Sequence, residues 1–83
     1  MPRFFIEVVD HAGIAEDHVG LECRDFPHAR LCAIEGIRSL LADEMRQGRL
    51  DLGGRAVIMD EARRELETLP FTAAFETIRE SDG

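Results

Sequence analysis

The chain has no lysine. Its ten basic side chains are all arginine, set against 17 Asp and Glu, for a formal net charge of −7. A field of that sign repels phosphate backbones and anionic lipid surfaces, so neither a nucleic-acid nor a membrane partner is expected. Tryptophan and tyrosine are also absent, so five phenylalanines supply all the aromatic mass and the core is expected to be aliphatic with a few Phe anchors. Two cysteines, Cys23 and Cys32, are too few for a disulfide framework. No run approaches the ~20 apolar residues that span a bilayer. Met1-Pro2-Arg3 leads into a short apolar run broken by charge at Glu7, which does not read as a signal peptide. These absences point to a cytoplasmic protein with reduced thiols.

Eighty-three residues make a single domain, 1–83. A chain this short buries only roughly 60–65% of its unfolded surface, so dimerisation is an accessible source of stability. At 45% hydrophobic and 33% charged it is too apolar for a disordered chain. The charge is uneven. Residues 46–64 carry Arg46, Arg49, Arg55, Arg63 and Arg64 against three acids, while residues 65–83 carry one Arg against five acids. The basic block has no interleaved aromatics on which bases would stack, and reads as an arginine-rich loop and turn.

Residues 3–9 are β-branched and aromatic, as a strand requires. Alternation places Phe4, Ile6 and Val8 on the core face and Phe5 and Val9 on the other. Gly13 is the expected turn residue between Asp10 and Asp17. Val19–Arg24 then reads as a second strand, hairpinned to the first, with Val19, Leu21 and Cys23 on one face. Asp25 is a strong helix N-cap and Pro27 fits the first turn. The helix should run to about Gln47 and stop at Gly48. Ala29, Ala33, Gly36, Ile37, Leu40 and Leu41 form its apolar stripe, whose small members suit close approach to a sheet. Leu50–Gly54 is a loop. Arg55–Asp60 is the third strand, with Ala56 and Ile58 on one face, and Glu65–Phe71 is the fourth, with Pro70 near its end. Thr72–Arg79 is expected to add a helical turn burying Phe75 and Ile78, and residues 81–83 to fray.

Taken together, Pro2-Arg3-Phe4-Phe5, Gly20-Leu21-Glu22, Ala29-Arg30, Ala33, Asp60-Glu61-Ala62 and Thr68-Leu69-Pro70-Phe71 resemble a family of small uncharacterised bacterial domains, met chiefly in alphaproteobacteria. The resemblance covers residues 2–71 and leaves 72–83 as a C-terminal tail. It implies the same length and element order, and carries over no catalytic or binding residue. One departure has a physical consequence. The resemblance places Gly often where this chain has Arg63, which implies either a left-handed backbone adopted with mild strain at Arg63 or a different turn.

Side chains with chemistry form no recognisable motif. Cys23, His28 and Cys32, with His11 or His18 as a fourth donor, are the best metal candidates, because His28 and Cys32 stand one helical turn apart. No Cys-x-x-Cys signature accompanies them, and small buried cysteines behave as hydrophobes. Asp10, Glu16, Asp17 and Glu22 gather around the first hairpin but lack the register of a calcium loop, and read as a solvated acidic loop. Ser39 lies on the outer side of the helix and Ser81 in the tail. A thiol at a core position is inert. Gly53-Gly54-Arg55 enters a strand, whereas phosphate loops feed a helix N-terminus.

The expected fold is α+β, a four-stranded antiparallel sheet in ββαββ order with one long helix across one face. No catalytic, cofactor-binding or metal-ligating set is expected, and no cofactor. The leading function is a small non-catalytic interaction module, self-associating or binding a protein, through the apolar surface of Phe5, Val9, Phe71 and Phe75. The alternative is a metal- or small-ligand-binding domain using Cys23, His28 and Cys32.

Overall fold

The computed structural model describes residues 1–80; the expected fraying of Ser81, Asp82 and Gly83 lies outside them. The fold is α+β, with strands β1 (Arg3–Asp10), β2 (Gly13–Ala15) and β3 (Leu21–Glu22), helix α1 (Phe26–Arg46), strands β4 (Arg55–Met59) and β5 (Glu65–Pro70), and a closing 3₁₀ turn, Phe71–Ala74. The antiparallel sheet has five strands rather than four. Its path is β2-β1-β4-β5, and β3 also pairs with β1.

The extra strand, β2, lies in the stretch expected as the connection between Asp10 and Asp17, and the expected second strand shortens to β3. Val19–Arg24 is not a continuous strand. Gly13–Ala15 pairs with the end of β1 (Val8 with Ala15, Asp10 with Gly13), and Leu21–Glu22 pairs with its start (Phe4 with Leu21, Arg3 with Glu22). Between them the edge of β1 is open, and Asp17 fills the gap. Its Oδ2 accepts from Ile6 N at 3.1 Å, and its Oδ1 accepts from Val19 N at 3.1 Å and Gly20 N at 2.8 Å. Desolvation raises the Asp17 pKa, but the three amide hydrogen bonds outweigh it and hold the carboxyl below its ordinary range. Gly20 turns beneath this plug at φ 82°, and a Cβ there would lie 2.8 Å from Arg3 Cγ.

Helix α1 matches its sequence signals. Asp25 caps it, accepting from His28 N at 3.0 Å. Gln47 is the C-cap and Gly48 follows at φ 84°, the left-handed exit that glycine makes cheaply. Ala29, Ala33, Ile37 and Leu41 are buried against the sheet. Gly36 is not at that contact: it is exposed and its Cβ position is open. It borders a cleft lined by Ile6, Val8, Cys32, Ala33 and Leu40.

The core lies between α1 and one sheet face. Phe4, Ala56, Ile58, Leu69 and Phe71 join the helix residues, with Ile6 and Val8 half-buried beside them. Alternation is kept along β4, since Ala56 and Ile58 face the helix at 0% exposure. Glu67 pairs with Ile58 and so shares the helix face, where its Oε1 accepts from Arg30 Nε at 2.9 Å. The β4–β5 register shifts between Ile58 and Met59. Phe71 N donates to Gly54 O at 2.9 Å, and the Phe71 ring occupies the space a Cβ on Gly54 would need.

The helical turn expected over Thr72–Arg79 is displaced toward the N-terminus. The 3₁₀ turn buries Phe71 and Ala74, whereas Phe75 is extended and 37% exposed and Ile78 is 84% exposed. Arg38 Nε donates to Ala74 O, 2.6 Å away, and fixes the chain on the helix at that point. From Phe75 to Glu80 every residue is exposed and none is in regular structure.

Candidate functional site

The four residues expected to form an apolar interaction surface do not share one. Phe71 is fully buried on the helix side of the sheet, because the side chain after Pro70 turns inward over Gly54. Phe5 is on the opposite face, but it is not bare: the Arg63 guanidinium carbon lies 4.0 Å from the ring centroid. Val9 is half-buried on that same face, paired with Arg55. Phe75 alone lines a surface groove.

That groove is larger than the cleft beside Gly36, which holds about 300 Å³. Leu41, Ala42 and Met45 of α1, Leu50 and Leu52 of the following loop, and Phe75 enclose about 430 Å³, with Arg38 at the rim. Met45 is 59% exposed, Leu50 and Leu52 each 40%, and Phe75 37%. These side chains come from three segments, so the patch is contiguous only in the folded chain. Helical periodicity places Leu41 and Met45 on one side of α1. The loop that lays Leu50 and Leu52 beside them left no comparable sequence signal.

A second feature lies on the other side of that loop. One donor atom each of Asp10, His11 and Glu44 lie within 4.8 Å of one another. Asp10 ends β1, His11 follows it in the turn, and Glu44 sits in the last turns of α1. Asp51 binds the three segments together. Its Oδ2 accepts from His11 N at 3.0 Å and contacts His11 Nδ1 at 2.8 Å, its Oδ1 accepts from Gly53 N at 2.9 Å, and its own N–H donates to Glu44 Oε1 at 2.9 Å. The His11 side-chain contact, reinforced by the amides, lowers the Asp51 pKa to about 2. The same contact raises the His11 pKa above its ordinary 6.5. Glu44, at 8% exposure, is the one buried charged residue among those described.

Sequence reasoning named Asp10 and His11 in separate roles and missed Glu44 and Asp51. A signal was present. Ile37, Leu41 and Glu44 fall at i, i+4 and i+7, so the apolar stripe of α1 ends on a carboxylate. Asp51 had none, because only the fold brings it to His11.

The other chemical candidates disperse. Among the described residues the sole group of three donors within 4.8 Å is Asp10, His11 and Glu44, so Cys23, His28 and Cys32 do not converge as a ligand set. Cys23 is fully buried and Cys32 half-buried. Burial pushes the Cys23 thiol pKa up, and the adjacent Cys32 thiol adds to the shift. His28 Nδ1 is sealed without a hydrogen-bond partner. The hairpin acids serve separately: Glu22 pairs with Arg3 at 3.1 Å, Glu16 faces His18 at 3.5 Å, and Asp17 fills the sheet edge. Among the described residues no helix is long and apolar enough to cross a membrane.

No curated protein and no solved structure matches the chain. The α+β architecture, the Asp60–Arg64 hairpin and the buried Leu69 and Phe71 all lie within a segment, residues 3–72, that a family model matches, and the chain belongs to that family, described as a domain of unknown function (DUF6894).

Proposed function

We propose that this chain is a small, non-catalytic interaction module of the bacterial cytoplasm that pairs with a second copy of itself. The observation that carries the reading is the groove over Leu41 in which the large side chains of Met45, Leu50, Leu52 and Phe75 gather in one place and remain exposed. Contiguous apolar surface of this kind marks a protein-binding site rather than ordinary surface scatter.

A second copy suits the groove because the same chain supplies a complementary segment. Beyond the 3₁₀ turn, Ile78 is 84% exposed on a stretch without regular structure, flanked by Glu76 and Glu80. Arg38 is the one arginine lining the groove. Apolar meets apolar and acid meets arginine when the tail of one copy lies in the groove of the other. The exchange is reciprocal, so it closes as a two-fold dimer. The net charge of −7 supports a protein partner over nucleic acid or an anionic membrane.

Sedimentation equilibrium over a range of concentrations tests the reading. A reversible monomer–dimer equilibrium is the expected result, weakened when the chain is cut after Phe75. A monomer at every concentration overturns it.

A further inference from the structure

We propose that the cleft between α1 and the β1–β2 hairpin binds a small molecule with an apolar body and a protonated primary amine, the ammonium meeting Asp10. The inference goes beyond the dimer reading and uses none of the groove residues.

The cleft exists because its walls are short. Ala15 pairs with Val8 and shares its face, toward α1. Across from it stand Ala33 and Gly36, and nothing lies within 4 Å of the Cβ position of Gly36. Large side chains at these positions would close the space, whereas about 300 Å³ remains open. That volume is at the low end for small-molecule sites. Ile6, Val8 and Leu40 pack on the core yet stay only half-buried beside the opening. A ligand seated there removes their remaining apolar surface from water.

The polarity of the cleft is confined to one point. Every residue lining it is apolar or a thiol except Asp10. Alternation sets this up, because Phe4, Ile6 and Val8 face the helix and the next position in their row is Asp10. Asp10 is half-buried. Its Oδ1 accepts from Ala12 N at 2.8 Å, and among the described residues no hydrogen bond engages its Oδ2 and no ion pair includes it. The neighbouring His11 turns its Nδ1 to Asp51 instead, 2.8 Å away.

Charge complementarity selects the occupant. A half-buried carboxylate with an unengaged oxygen favours a cationic donor, and a charge-assisted hydrogen bond is the strong kind. The net charge of −7 further disfavours an anionic ligand. The chain has no lysine, so no lysine of a second copy supplies the ammonium. A mostly apolar wall with one placed polar group is the usual make-up of a small-molecule site.

The test is a titration of the full chain with cyclohexylmethylamine, followed by amide NMR. Its ammonium, like that of lysine, is charged at neutral pH. The expected result is saturable binding of one molecule per chain, with shifts at Val8, Asp10, Cys32 and Gly36. Cyclohexylmethanol, which lacks the charge, should bind at least about tenfold more weakly, the scale of a hydrogen bond to a charged group. Methylammonium, which lacks the apolar body, should lose at least as much. Gly36→Leu fills the cleft and should abolish binding, and Asp10→Asn should weaken the amine without weakening the alcohol. Gly36 is exposed with open space at its Cβ position, so its variant reports on the cleft even if Asp10→Asn folds poorly. No saturable binding, an alcohol that binds as tightly as the amine, or binding unaltered in Gly36→Leu would each overturn the proposal.

Discussion

The Arg63 guanidinium lies 4.0 Å over the Phe5 ring, and its Nη2 donates to Asp17 O at 3.0 Å. Arg63 is also the one non-glycine residue with a positive φ among those described, at 62°. Strain at the residue and contact by its side chain therefore oppose each other. A glycine at this turn would relieve the strain and give up the contact.

Arg63→Ala should be worse than Arg63→Gly. Alanine keeps the strained backbone, which costs about 1 kcal/mol relative to glycine. Both variants lose a cation–π contact of about 0.5–1 kcal/mol and a surface hydrogen bond of similar size. Urea melts should find the alanine variant about 1–2 kcal/mol below wild type and the glycine variant about 1 kcal/mol above the alanine one. Equal stability of the two would show that the turn relaxes without strain.

Two glycines should respond in opposite directions. Gly36 lies exposed within α1 with nothing near its Cβ position, so Gly36→Ala should stabilise by about 0.5–1 kcal/mol through backbone entropy. Gly54 is buried with the Phe71 ring where its Cβ would go, so Gly54→Ala should destabilise by about 1–3 kcal/mol through overpacking. Thermal melts of the two variants check both signs.

The helix was legible in the sequence because its ends are chemical: Asp25, Pro27 and Gly48 each allow few alternatives. The turn at Arg63 is left-handed, the first of the two conformations the resemblance implied. The split edge strand was not. Val19 and Leu21 have strand-like side chains, but Asp17 satisfies the amides that a continuous strand would have paired, and Gly20 requires positive φ. The groove and the Asp10–His11–Glu44 cluster were illegible for a different reason. Their members come from separate segments, and neither period nor spacing records which loop returns to which helix end.

Asp17 offers a direct check of the edge account. Asp17→Ala leaves the amides of Ile6, Val19 and Gly20 without their acceptor. A loss of about 1–3 kcal/mol is expected, the scale for unsatisfied amides. Asp17→Asn, which keeps one acceptor oxygen, should lose less. Hydrogen exchange at Ile6 should accelerate in the alanine variant. Unchanged protection there would contradict the assigned role.

Stability should have a plateau in pH set by His11 and Asp51. Asp51 has a folded pKa of about 2 against 3.8 for the free group, so its contribution is full above pH 3.8 and is lost as pH falls toward 2. The His11 pKa is raised above 6.5, so its contribution is full below pH 6.5 and is lost as pH rises through the folded value. The pair is therefore fully effective between those two limits. Replacing His11 with Asn should flatten the alkaline limb and leave the acid limb partly in place, since Asp17 and Asp60 are also held low. An alkaline limb that persists in His11→Asn would assign it to another group.

The central claim is that two copies pair through the groove of Met45, Leu50, Leu52 and Phe75. Native mass spectrometry of the wild type beside Met45→Glu/Leu52→Glu tests it most directly. Both side chains are at least 40% exposed, so the substitutions should leave the fold intact, and circular dichroism verifies that. The account predicts a dimer for the wild type and a folded monomer for the variant. A wild-type monomer, or a dimer that survives both glutamates, would contradict it.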